Sequence, residues 1–140
     1  MRPLFATLLL LAACATAPDS TPEQRVAGCW IDRNPSGAVT TMRWLAHPQR
    51  TGALRGAKVN YGISGPAVRE EYVLEQRTGA WTLCQVDADG ERCWQVAQGE
   101  SGSLEGGRAF IDAFSDRLRI SVVDASGERE VYQGRRDGCD

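Results

Sequence analysis

Few residues in this chain are equipped for chemistry. It has five cysteines and a single histidine, His47. Two carboxylates stand side by side at Glu70-Glu71, and Asp112 alternates with Phe110 and Phe114. A lone histidine makes neither a catalytic triad nor a multi-histidine metal site. His47 also precedes Pro48, in a stretch that reads as an exposed loop. The cysteines lack the Cys-x-x-Cys spacing of a thiolate metal centre. Neighbouring carboxylates on a strand point to opposite faces, so Glu70 and Glu71 are not an acid–base pair. The Gly-rich run 99–107 lacks the Gly-Lys-Ser/Thr ending of a phosphate loop. The expectation is a protein that is not an enzyme, with no catalytic residues, no metal and no cofactor.

Cys14 has a different setting. Met1-Arg2-Pro3 is a short basic start, Leu4 to Ala13 is almost wholly apolar, and Leu11-Ala12-Ala13-Cys14 closes the run. Charge, a short apolar run and small residues, in that order, make a secretory signal. An apolar run of about ten residues is roughly half what spans a bilayer as a helix. The small-residue run ending in cysteine resembles the lipobox of bacterial lipoproteins. That resemblance implies cleavage before Cys14, acylation of Cys14 (palmitate among the chains) and attachment to a membrane. Ala15, where an aspartate tends to mean retention at the inner membrane, implies the outer membrane, with the domain facing the periplasm or the cell surface. Residues 1–13 are then the signal and 14–25, polar with Pro18 and Pro22, a lipidated flexible tether. Residues 26–140 form one domain, since removing 13 of 140 residues leaves enough chain for one core.

Within that domain the pattern is β nearly throughout. Strand-like stretches fall near 27–33, 38–45, 53–63, 67–77, 80–87, 91–97, 108–114, 117–123 and 129–135, with turn signals between them. No stretch shows a helical period. Eight or nine short strands in one small domain predict an all-β fold, a small antiparallel meander β-barrel, because closure removes exposed edges. Charge is mixed, with a formal net of −2, so nucleic acid is not an expected partner.

The four remaining cysteines of an exported domain imply two disulfides. A two-residue loop at Ala88-Asp89 sets Cys84 opposite Cys93 at a close, non-hydrogen-bonded pair. A three-residue loop ending in Gly90 competes on turn chemistry but puts the cysteines out of line. Cys29 is left with Cys139, a bridge that would lock the first strand to the last.

Gly28-Cys29-Trp30 resembles the Gly-x-Trp signature of lipocalins. The resemblance implies that Trp30 forms the barrel floor with Arg135 or Arg136 against its ring. Met42-Arg43-Trp44 and Gly52-Ala53-Leu54-Arg55-Gly56 also resemble segments of small lipocalin-like bacterial domains. Alternation places Trp30, Met42, Trp44, Tyr61, Tyr72, Leu74, Trp81, Leu83, Trp94, Phe110, Phe114, Leu118, Ile120 and Val122 inward. Glu70 and Asp112 fall on the same inward faces and, with Trp44 and Tyr72, are candidate ligand-binding residues, with Arg55 or Arg129 as ion-pair partners. The function expected is binding of a small apolar or amphipathic ligand inside the barrel; the alternative is an envelope protein met through barrel loops, in the manner of lysozyme-inhibitor lipoproteins.

Overall fold

A computed structural model describes residues 20–97 and 107–139. The signal, Cys14, most of the tether and the Gly-rich run up to residue 106 lie outside the described residues. Nine strands close into a barrel: β1 (Gly28–Arg33), β2 (Val39–Ala46), β3 (Leu54–Tyr61), β4 (Val68–Arg77), β5 (Ala80–Asp87), β6 (Gly90–Val96), β7 (Arg108–Ala113), β8 (Arg117–Asp124) and β9 (Gly127–Asp137). Each strand pairs with its neighbour in sequence, and β1 pairs with β9. One join departs from the expected meander. β6 and β7 run parallel, matching Gln95 with Arg108 and Val96 with Ala109. A parallel pair cannot be joined by a tight hairpin, and this is the one connection built from a long Gly-rich run.

Alternation along the strands builds the core. Leu54, Leu74, Leu83 and Trp94 form one row across β3 to β6, each directly opposite the next. Trp44, Gly56 and Tyr72 form the row beside it. Gly56 is needed there because the Trp44 ring lies over it; a Cβ would stand 2.7 Å from ring carbons. Trp30, Met42, Leu118, Ile120 and Val122 fill the remainder, all at most 1 % exposed.

Three aromatics expected inside are outside. Tyr61 ends β3 beyond the rim and is 50 % exposed; Phe110 and Phe114 are 40 % and 71 % exposed. On β7 both alternating sets contain apolar residues, so pattern alone does not choose the inner one, and a one-residue change of phase exchanges the faces. Pairing Ala109 with Val122, Ile111 with Ile120 and Ala113 with Leu118 turns the smaller set inward. Small side chains suit the contact of β7 with a short helix, α1 (Pro22–Val26). That helix falls partly within the expected tether. Thr21 caps it, bonding the Gln24 N–H while the Gln24 side chain bonds back, and Pro22 opens it. Pro22 and Val26 are buried, so the folded domain reaches back to Thr21, ahead of its expected start at residue 26.

Both disulfides form as expected. Cys84 faces Cys93 across the two-residue turn, and Cys29 joins Cys139 over a separation of 110 residues. In the loop-entropy account the long bridge is worth about 5 kcal/mol and the 84–93 bridge about 2.5. Urea denaturation of Cys29→Ala/Cys139→Ala should therefore show roughly twice the stability loss of Cys84→Ala/Cys93→Ala. Equal losses would mean that the seam holds without its bridge.

Candidate functional site

The floor of the barrel is built where chain start and chain end meet. Trp30 is 1 % exposed, and its indole N–H donates to Val26 O at 2.9 Å. The Arg136 guanidinium lies 4.2 Å from the Trp30 ring centroid. Arg136 also donates to the carbonyls of Ser115, Ala27 and Arg25, tying α1 and the β7–β8 turn to the floor. Gly28 permits this. Its φ is +121°, and a Cβ there would meet Arg136 Nη1 at 2.9 Å. Arg135, the alternative cover for Trp30, points the other way and is exposed on the outer wall.

A polar cluster occupies the interior at the opposite end. Lys58 on β3 faces Glu70 on β4 directly, with Nζ 2.7 Å from the carboxylate. The same carboxylate accepts from Gln85 Nε2 at 3.1 Å and from the Tyr72 hydroxyl at 3.3 Å. Lys58, rather than Arg55 or Arg129, is thus the partner of Glu70. Arg55 is outside, bonded to Glu71 at 2.9 Å, and that hydrogen bond holds the Glu71 carboxyl below its usual range. Arg129 is directed inward, its guanidinium 5.8 Å from the Trp94 ring centroid. Burial pushes the Tyr72 phenol up to about 12; the Glu70 charge adds to this and Arg129 opposes it.

Of the four candidate ligand residues, three come together. Glu70 bonds Tyr72, and the Tyr72 and Trp44 ring centroids are 6.5 Å apart. Asp112 does not join them. It is exposed on the outside of β7, opposite Arg119, because β7 takes the other phase. The Glu70 carboxylate is saturated by Lys58, Gln85 and Tyr72, and Trp44 and Tyr72 are buried under neighbours. The Lys58 and Glu70 side chains remain 19 % and 28 % exposed, at the end of the barrel away from Trp30.

His47 Nδ1 accepts the Gln49 N–H within its own loop. Cys84, Glu91 and Cys93 lie close enough to share an ion, but the two sulfurs are bonded to each other and offer no thiolate. Glu91 is held below its usual range first by its hydrogen bond from Arg77, which also bonds Glu75.

Two surface features were not legible from alternation. The β3–β4 hairpin exposes Tyr61, Ile63 and Val68 together, at 50, 72 and 62 %. On the far side, the outer wall of β7, β8, β9 and β1 holds a depression of about 840 Å³ lined with arginines. No protein-family model, curated protein or solved structure matches this chain.

Trp30→Ala should cost about 3–5 kcal/mol as a large core deletion. Arg136→Ala should cost about 1–3 kcal/mol through its lost hydrogen bonds and ring contact, and Arg135→Ala under about 0.5, as for an ordinary surface change. Urea midpoints rank the three; an Arg135→Ala loss matching that of Arg136→Ala would contradict the floor assignment. The raised Tyr72 pKa predicts an alkaline effect. The unfolded phenol ionises near 10, while the folded one keeps its proton to about 12. Its contribution is therefore complete below pH ~10 and is lost as pH rises towards ~12. Tyr72→Phe should flatten that fall in urea midpoint relative to the parent chain.

Proposed function

We propose that this chain is a lipid-anchored protein of the bacterial outer membrane, acylated at Cys14, whose barrel is a non-catalytic binding scaffold. It meets an envelope protein through exposed loops and takes no apolar ligand into its interior. The observation that carries this reading is the filled barrel. Trp30, Met42, Trp44, Tyr72, Leu74 and Leu83 meet in the interior at no more than 1 % exposure, and a small barrel has room for side chains or for a ligand, rarely both. Above them Lys58 and Gln85 both bond the Glu70 carboxylate, and the Trp44 indole N–H is an interior polar group left without a partner among the described residues. Of the six large apolar side chains exposed among the described residues, three, Tyr61, Ile63 and Val68, lie on a single hairpin. Exposed apolar residues grouped this way are how partner sites are commonly made.

Attachment through Cys14 follows from the resemblance of Leu11-Ala12-Ala13-Cys14 to a lipobox. Several acyl chains hold a protein on a membrane where one would let it go. Cys14→Ser should leave the membrane fraction after a high-salt wash; retention would reject the lipid anchor.

The binding mode has its own test. A photo-crosslinking residue in place of Ile63 should give one discrete adduct in cells, and the same residue in place of Gln95, exposed on the outer face of β6 near the opposite rim, should give none. Titration with a fatty acid should leave tryptophan fluorescence unchanged. A saturable quench would instead put the ligand among Trp30, Trp44 and Trp94, and the filled-barrel reading would fall.

A further inference from the structure

The two outer walls of the barrel treat arginine differently. Across β3 to β6 the arginines are paired: Arg50 and Arg77 with Glu75 and Glu91, Arg55 and Arg69 with Glu71. Across β8, β9 and β1, Arg117, Arg135 and Arg33 have no ion pair or side-chain hydrogen bond among the described residues. Arg117 and Arg135 stand directly opposite one another across two strands. Like charges so placed destabilise a sheet. Arg119, beside them, has one exposed contact, to Glu130 at 3.3 Å. The arginines line the depression of about 840 Å³ together with Arg136, Phe114 and Ile31. Asp32 and Asp112 also line it; with Arg136 committed to the floor, four arginines share the depression with two carboxylates while the whole chain is at −2.

We infer that this wall is a docking surface for an anionic bilayer, with phosphate-bearing lipid headgroups seated in the depression between Arg117, Arg135 and Arg33. Guanidinium groups bond phosphate oxygens two at a time, which suits them to this ligand. Phe114, 71 % exposed in the turn before Arg117, supplies the apolar contact of an interfacial anchor. Position favours a membrane over an acidic protein. The chain enters the domain beside this wall: α1 packs on β7, and Arg136 holds the carbonyls of Arg25 and Ala27. From Thr21 back to Cys14 is seven residues, a reach of at most about 25 Å. The inference rests on the lipid-anchored reading for the nearness of a bilayer. The acyl chains then hold the protein, and the wall sets how the barrel lies, with the Ile63 hairpin left free.

The test uses the full chain carrying Cys14→Ser, which takes no acyl chain. It is sedimented with vesicles of phosphatidylcholine alone, or of equal parts phosphatidylglycerol and phosphatidylcholine. At low salt, partition into the anionic vesicles should be stronger by about tenfold or more, and high salt should abolish the difference. Arg117→Glu/Arg135→Glu should remove it, Phe114→Ser should weaken it, and Arg69→Glu on the opposite wall should leave it intact. Should the double reversal fail to melt cooperatively, Arg117→Gln/Arg135→Gln serves in its place. Equal partition into both vesicles overturns the inference and turns attention to an acidic protein partner; so does anionic binding that survives charge removal. The anchor is read separately, by release of Cys14→Ser from cell membranes, so either idea can fail alone.

Discussion

Closure of the barrel at β1 and β9 is the constraint on which the rest depends. These strands share three paired positions, Cys29 with Asp137, Trp30 with Arg136 and Ile31 with Arg135. So short a ladder joins the two ends of the domain, whose separation in sequence makes the loop-closure cost large. Two devices hold it. Outside, the Cys29–Cys139 bridge removes most of that cost from folding. Inside, Arg136 covers Trp30 and gathers carbonyls from α1 and the β7–β8 turn. Residues 28 to 30 serve both, since Gly28 makes way for the arginine, Cys29 faces out to its bridge and Trp30 faces in.

Closure also fills the interior. A sheet rolled this tightly brings its inward side chains together at the axis, and three of the four tryptophans are among those at most 2 % exposed. Such an interior is close-packed and does not open without losing contacts. Of the charged residues sent inward, Lys58 and Glu70 neutralise each other at one end, and Arg136 covers Trp30 at the other. The exposed hairpin around Ile63 and the arginine wall lie on different parts of the exterior.

The exterior is uneven in its electrostatics. On β3 to β6 nearly every charge has an opposite neighbour, and Arg77 and Glu91 raise and lower one another's pKa in the expected senses, each through their shared hydrogen bond first. Exposed pairs of this kind contribute little stability, so their regularity reflects sheet register more than energy. On β8 and β9 the register instead sets arginine against arginine. A surface of self-repelling cations carries a small folding cost, and an anion brought to it would relieve that cost.

Much of this was written in the chain itself. Hydrophobic alternation placed all nine strands within about two residues of their ends, because period two is local and turn residues mark its limits. The two-residue turn at Ala88-Asp89 was enough to pair Cys84 with Cys93, and Thr21-Pro22-Glu23-Gln24 carries a capping box that a closer reading would have recognised as α1. Tertiary structure alone decided what two-fold periodicity leaves ambiguous. Asp112, Phe110 and Phe114 went outside because β7 takes its phase from its pairing with β8 and its contact with α1. Arg136 rather than Arg135 reached Trp30, Lys58 rather than a nearby arginine reached Glu70, and β7 joined β6 in parallel. Each of these turns on which strand lies beside which and at what register. That is fixed by closure of the whole barrel, a condition that no local stretch of sequence contains.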